Sequence, residues 1–287
     1  QTSELAAALG TLELKNGNAR RARKFFQLSQ YSPNDNVIAQ LEWFSNETGS
    51  AFDDRLLRNR FAYEARAQHL MRTEDWLGAL ENCRDWQLDE PFSLRPAQDG
   101  AFIAAELVGN NRMCEDITRL ALLANPGDVT LINNLAYALT LQGKFSDAVK
   151  WLGRVNRNKM DDAEKIAVIA TEGLIDFRMG RIEDGIKKYE ESLNFAVERK
   201  HHELAQSALL HYLHESLRAN LIGENDLPPF VIAYFASDRA PKYLKAIFKR
   251  LITDFVEEMR QNSNPRIAQV GKPLIDKYAN FIENRDE

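Results

Sequence analysis

Four of the five histidines cluster late in the chain, at His201, His202, His211 and His214, and His69 stands apart. His211 and His214 are spaced i, i+3, which places both imidazoles on one face of a helix, with Glu215 beside the second. A zinc-protease pair needs a second histidine four residues after the first, but Gln206 follows His202-Glu203 at that position. The pattern therefore reads as a polar helix face with no metal ligation. Cys83 and Cys114 have neither metal-ligand spacing nor a disulfide framework, and both fall within helical patterns as small buried hydrophobes. The acidic pairs Asp161-Asp162 and Glu190-Glu191 read as first-turn charges and as a polar face. No glycine-rich phosphate loop and no Ser/His/Asp or Cys/His arrangement is recognisable. The expectation is a non-catalytic chain with no cofactor.

Two basic runs could meet phosphate. One is Arg20, Arg21, Arg23 and Lys24; the other is Lys242, Lys245, Lys249 and Arg250, opposite an apolar face of Tyr243, Leu244, Ile247, Phe248, Leu251 and Ile252. The second run reads as an amphipathic helix with a solvated basic side. A formal net charge of −5 argues against nucleic acid as the main partner, because phosphate binding draws on a basic excess. Trp43, Trp76, Trp86 and Trp151 sit in apolar stripes, where packing explains them better than base stacking.

The elements that must position these residues are helices. Runs such as ELAAALGTLEL, RFAYEARAQHLM and EKIAVIATEGLIDF repeat apolar residues at i, i+3, i+4 and i+7, with short polar breaks between them. Strand-like alternation is nearly absent, so the fold class is all-α. No run reaches the ~18–20 apolar residues of a spanning helix, and the uncharged run of most interest, 227–237, contains Pro228-Pro229. The chain opens QTSELAAALG, without Met or a basic leader, which reads as a piece of a longer, cytoplasmic protein.

The breaks are periodic. Gly17, Glu74, Gly109, Gly143 and Gly180 each precede a small residue by five positions: Ala22, Ala79, Cys114, Ala148 and Gly185. After a first interval of 57 residues the breaks recur at 35, 34 and 37. A small residue there lets two antiparallel helices approach closely. Four positions further on, Phe26, Cys83, Leu152 and Tyr189 would fill the hairpin interior, and Thr118 departs from the pattern.

This chain resembles the tetratricopeptide repeat (TPR) family, a helix–turn–helix unit of about 34 residues. The resemblance rests on Leu135, Ala136, Gly143, Phe145 and Ala148 in the best-preserved copy. Gly10, Ala22 and Phe26 carry it in the first copy, and Trp76, Ala79, Trp86 and Pro91 in the second. Gly109, Ala121 and Pro126 carry it in the third, and Gly173, Gly180 and Tyr189 in the fifth. It spans about residues 3–33 and 60–200. The resemblance implies a right-handed superhelix, an α-solenoid: a repeat array over 1–200 with an irregular insertion at about 34–59. Residues 201–287 would form a helical extension capping the array, with helices at 202–220, 241–261 and 265–282.

Scaffolding is the function such a resemblance implies, with first helices lining a groove that takes a peptide or a partner helix. Mapped to this chain, the groove positions include Asn133, Asn134, Tyr137, Thr140 and Leu141 in the fourth copy. They include Glu64, Gln68, Met71 and Arg72 in the second, and Leu174, Phe177 and Arg178 in the fifth. Ala7 and Thr11 stand where members that clamp chaperone tails need Lys and Asn, so that ligand is not expected. Asn133, Asn134, Tyr137, Thr140, Gln68, Arg72 and Arg178 are the candidate binding residues. Asn134 is poised between backbone recognition of a partner and a bond to the neighbouring repeat. A regulatory module of a larger protein and a helical nucleic-acid binder are the alternative readings.

Overall fold

A computed structural model describes residues 2–31, 33–59, 61–219, 221, 235, 237 and 239–261. Among the described residues there are thirteen α-helices and no strand. The helix expected at 265–282 and most of the run 227–237 lie outside them. The chain forms two compact units, residues 1–103 and 104–287, each with its own packing.

In the first unit, α1 (Thr2–Lys15) and α2 (Ala19–Ser29) form a hairpin, and α3 (Asp35–Thr48) packs on both. Then α4 (Tyr63–Arg72), α5 (Trp76–Asp89) and α6 (Arg95–Phe102) follow, each against the one before. Sequence chemistry starts these helices: Asn34 accepts the amide of Val37, and Asp75 that of Gly78, which satisfies donors the helix cannot use itself. Ala7, Ala22, Phe26, Val37, Leu41 and Phe44 make one core cluster, with the Phe26 and Phe44 ring centroids 4.4 Å apart. A Cβ on Gly10 would stand 2.9 Å from the Phe26 ring, so glycine is what lets α1 approach α2. The insertion thus supplies α3 and a short 3₁₀ turn, Asp54–Arg58, which α3 joins to the core of the first hairpin.

In the second unit the helices are α7 (Asn111–Ala124), α8 (Val129–Leu141), α9 (Phe145–Leu152), α10 (Asp162–Arg178), α11 (Ile182–Glu198), α12 (His202–Arg218) and α13 (Lys242–Gln261). Asn110 and Asp128 cap α7 and α8, and Asp161 with Glu164 forms a reciprocal capping box on α10. Each helix packs on a neighbour in sequence. In addition α8 packs on α10 and α10 on α12, each with the next helix but one.

All five breaks adopt positive φ, from +65° at Glu74 to +81° at Gly17. Lys200, between α11 and α12, does the same at +61°. All five small residues beyond the breaks are buried. Thr118, which departed from the bulky pattern, is buried too; its hydroxyl donates to the Cys114 carbonyl at 2.7 Å. A threonine of nearly apolar volume fills that interior without an orphaned hydroxyl. The basic side expected to be solvated on α13 is corrected at one position. Arg250 is largely withdrawn from solvent, its side chain 9% exposed, because a carboxylate and a carbonyl of the second unit await it.

Candidate interaction groove

A π turn, Ile103–Leu107, runs into the start of the second unit, an irregularity that widens the helical spiral. It carries Glu106 to a point where three elements meet. His211 of α12 lies with Nε2 3.1 Å from Glu106 Oε2. Arg250 of α13 places Nη2 at 3.2 Å from the same oxygen and donates Nε–H to the Glu106 carbonyl at 2.7 Å. Its Nη2 also reaches Tyr137 Oη of α8 at 3.4 Å, and its Nη1 reaches Asp254 at 2.8 Å. The Tyr137 and His211 rings meet edge-on, 5.6 Å between centroids. Burial alone pushes the Glu106 carboxyl up; His211, Arg250 and Tyr137 outweigh it and hold it at about 2. Burial works against the Arg250 cation as well, and Tyr137, Glu106 and Asp254 together keep it charged.

A second knot lies beside the first. Arg178 of α10 donates from Nη2 to Glu215 Oε1 of α12 at 2.7 Å, and its Nε lies 2.7 Å from Oε2 in an ion pair. His214 Nδ1 is 3.1 Å from Glu215, and Arg218 bridges Glu215 to Glu258 of α13. Burial raises the Glu215 carboxyl, but His214 and Arg178 bring it below the usual carboxylate range. With Nδ1–H assigned as donor to Glu215, His214 Nε2 is an acceptor, and it is buried without a partner. The ring packs edge-on against Phe255 of α13 at 6.4 Å.

Between the knots runs a cleft of about 150 Å³, walled by Tyr137, Leu141, Leu174, Arg178, His211 and His214 on one side and by Arg250, Leu251 and Asp254 of α13 on the other. Of the seven residues expected from the sequence, Tyr137 and Arg178 meet here. Asn133 is buried, with Oδ1 unpartnered. Asn134 is half-buried, and its carbonyl takes a weak hydrogen bond from the Cys114 thiol at 3.6 Å. Thr140 is buried and donates to the Ala136 carbonyl at 2.7 Å, which turns it into its own helix. Gln68 and Arg72 belong to the first unit, where Gln68 donates to Glu64 at 3.2 Å and Arg72 pairs with buried Glu42.

Sequence reading missed Glu106, Glu215 and Arg250, and treated His211 and His214 as a surface face. The available signal was Glu106 itself, a lone acid inside the apolar run AFIAAELVG. Chemically the cleft offers paired charges and no nucleophile beside a base. Among the described residues, no group of three or more His, Cys, Asp or Glu gathers as metal ligands. Both thiols are buried, and burial pushes Cys83 up to about 12 and Cys114 higher, so neither is poised as a thiolate. No helix among the described residues is long and apolar enough to cross a membrane. A scan against models of known protein families finds no match to this chain, and a search of curated proteins finds none either.

Proposed function

We propose that this chain is a non-catalytic interaction scaffold in the cytoplasm, a right-handed superhelix of TPR-like hairpins whose first helices offer a groove to a peptide or partner helix. One observation carries the reading. Tyr137 of α8, Arg178 of α10 and His211 of α12, on alternate helices, line one cleft and face a helix, α13. A helix that packs on α12 and reaches Tyr137 of α8 through Arg250 supports a helix-in-groove mode of recognition. The recurring positive-φ breaks and buried small residues support the repeat reading.

The test is a photo-crosslinking residue placed at Leu141 in the full chain, compared with the same residue at Leu123, an exposed position of α7. Adducts to a discrete protein from Leu141 and not from Leu123 are expected. Equal adducts from both positions, or none from Leu141, would sink the proposal. A regulatory module of a larger protein is the second reading. It is favoured by the placement of α13 itself, which covers the residues a partner would use.

A further inference from the structure

We infer that the groove of the second unit is a receptor for an amphipathic partner helix with a central arginine, and that α13 is its resting, replaceable occupant. This rests on the scaffold reading and adds the chemistry of the partner. The template is α13, whose Leu244, Ile247, Phe248, Leu251, Ile252 and Phe255 are all buried, a stripe at helical spacing. Its register is set by polar anchors rather than by apolar contact alone. Arg250 binds Glu106 and Tyr137, and Glu258 pairs with Arg218. The groove is electrostatically cut for such a helix: Glu106 is a largely buried carboxylate awaiting a guanidinium at one place.

The fit of α13 is incomplete, which is what makes it replaceable. Two polar atoms that line its seat, His214 Nε2 and Asn111 Oδ1, are buried without hydrogen-bond partners. A native core rarely leaves such groups unsatisfied. The cleft beside Arg250, Leu251 and Asp254 is also unfilled. A partner helix that keeps the arginine and the apolar stripe, and adds a polar hydrogen-bonding side chain on the cleft side, satisfies what α13 leaves open. Such a helix must outcompete a tethered one, whose effective concentration is on the order of millimolar, so better complementarity is required of it.

Two measurements on the full chain test the inference. In the unaltered protein, amide hydrogen exchange should show α13 opening on its own, with protection at least tenfold lower than in α8 and α10. Equal protection would make α13 a permanent part of the core and overturn the inference. In the second, Ile247→Asp with Leu251→Asp unseats α13, and a fluorescent peptide of residues 241–261 is offered. The unseated chain should bind it at least twentyfold more tightly than the unaltered chain, and Arg250→Ala in the peptide should weaken it at least tenfold. Indifference of the unseated chain to the peptide overturns the inference, as does a concentration-dependent dimer of the unaltered chain exchanging α13. Groove adducts in the crosslinking experiment together with either of those results would retain the scaffold and reject α13 as its template.

Discussion

Glu106 concentrates three donors on one carboxylate, and its acid dissociation follows from that. Its pKa is about 2 in the folded chain, against about 4.3 for a free glutamate, so it binds fewer protons folded than unfolded at moderate acidity. The stabilisation is therefore complete above the unfolded value and is lost as pH falls from about 5 towards 2. Glu115, held by Lys144, Arg119 and Gln142 to about 2 against its own burial, adds to the same limb. Glu106→Gln should cost about 3 kcal/mol at neutral pH, because Arg250 is left buried with one counter-charge fewer. It should also flatten the acid limb of a melting-temperature profile without abolishing it. Asp35 runs the other way. Burial first, then Glu64 and Glu90, raise its carboxyl to about 7. Folding thus favours the protonated form, and the contribution present below about pH 4 is lost as pH rises towards 7. Asp35→Asn should leave the melting temperature nearly unchanged at pH 4 and raise it at pH 8, apart from a small loss of first-turn charge on α3. The partners of these three carboxylates were not legible in the sequence, although Glu106 stands out there as a lone acid in an apolar run. Composition distinguishes an acid on a helix from a solvated acid only when its distant partners are known, and those of Glu106 lie up to 144 positions away.

Helices and turns were far more legible, because their causes are local. The breaks at Gly17, Glu74, Gly109, Gly143 and Gly180 announced both the turn and, five residues on, the close approach of two helices. Gly185 shows the constraint at its tightest: an added Cβ would lie 2.5 Å from the Phe177 ring. What local pattern could not reveal was which polar face is covered by another element. The basic side of α13 read as solvated, and Arg250 is the residue that corrects it, since its partners come from the π turn and α8. The π turn was illegible for the same reason, as AFIAAELVG carries ordinary helical apolar spacing. Backbone conformation at the turns gives a paired prediction. At Gly143 φ is +74° and nothing crowds a Cβ, so Gly143→Ala should cost about 1 kcal/mol through backbone strain alone. At exposed Lys200, φ is +61°, and Lys200→Gly should be neutral or stabilising by up to about 1 kcal/mol. Chemical denaturation of the two variants, with unchanged denaturant slopes, checks both.

At the largest scale, the packing within each of the two units is mainly between sequence neighbours, with α8 on α10 and α10 on α12 besides. Where helices pack in this way, stability is expected to follow adjacent interfaces more than one central core. Damage in one place should then stay where it is made, and Phe26 is the residue to damage. It is buried against Phe44 and over Gly10 at the heart of the first unit. It also borders a cleft of about 190 Å³ shared with Leu41, Phe52 and Leu56. That neighbouring space lets the surroundings relax, so Phe26→Ala should fall near the low end of the usual range, about 3 kcal/mol. Hydrogen exchange of the variant should show α1, α2 and α3 losing protection by about two orders of magnitude, each factor of ten being ~1.4 kcal/mol. Amides of α8 and α10, whose packing lies within the second unit, should keep the protection they have in the unaltered chain. A uniform fall across both units would mean that the chain opens as one cooperative body, and the serial account of its stability would be wrong.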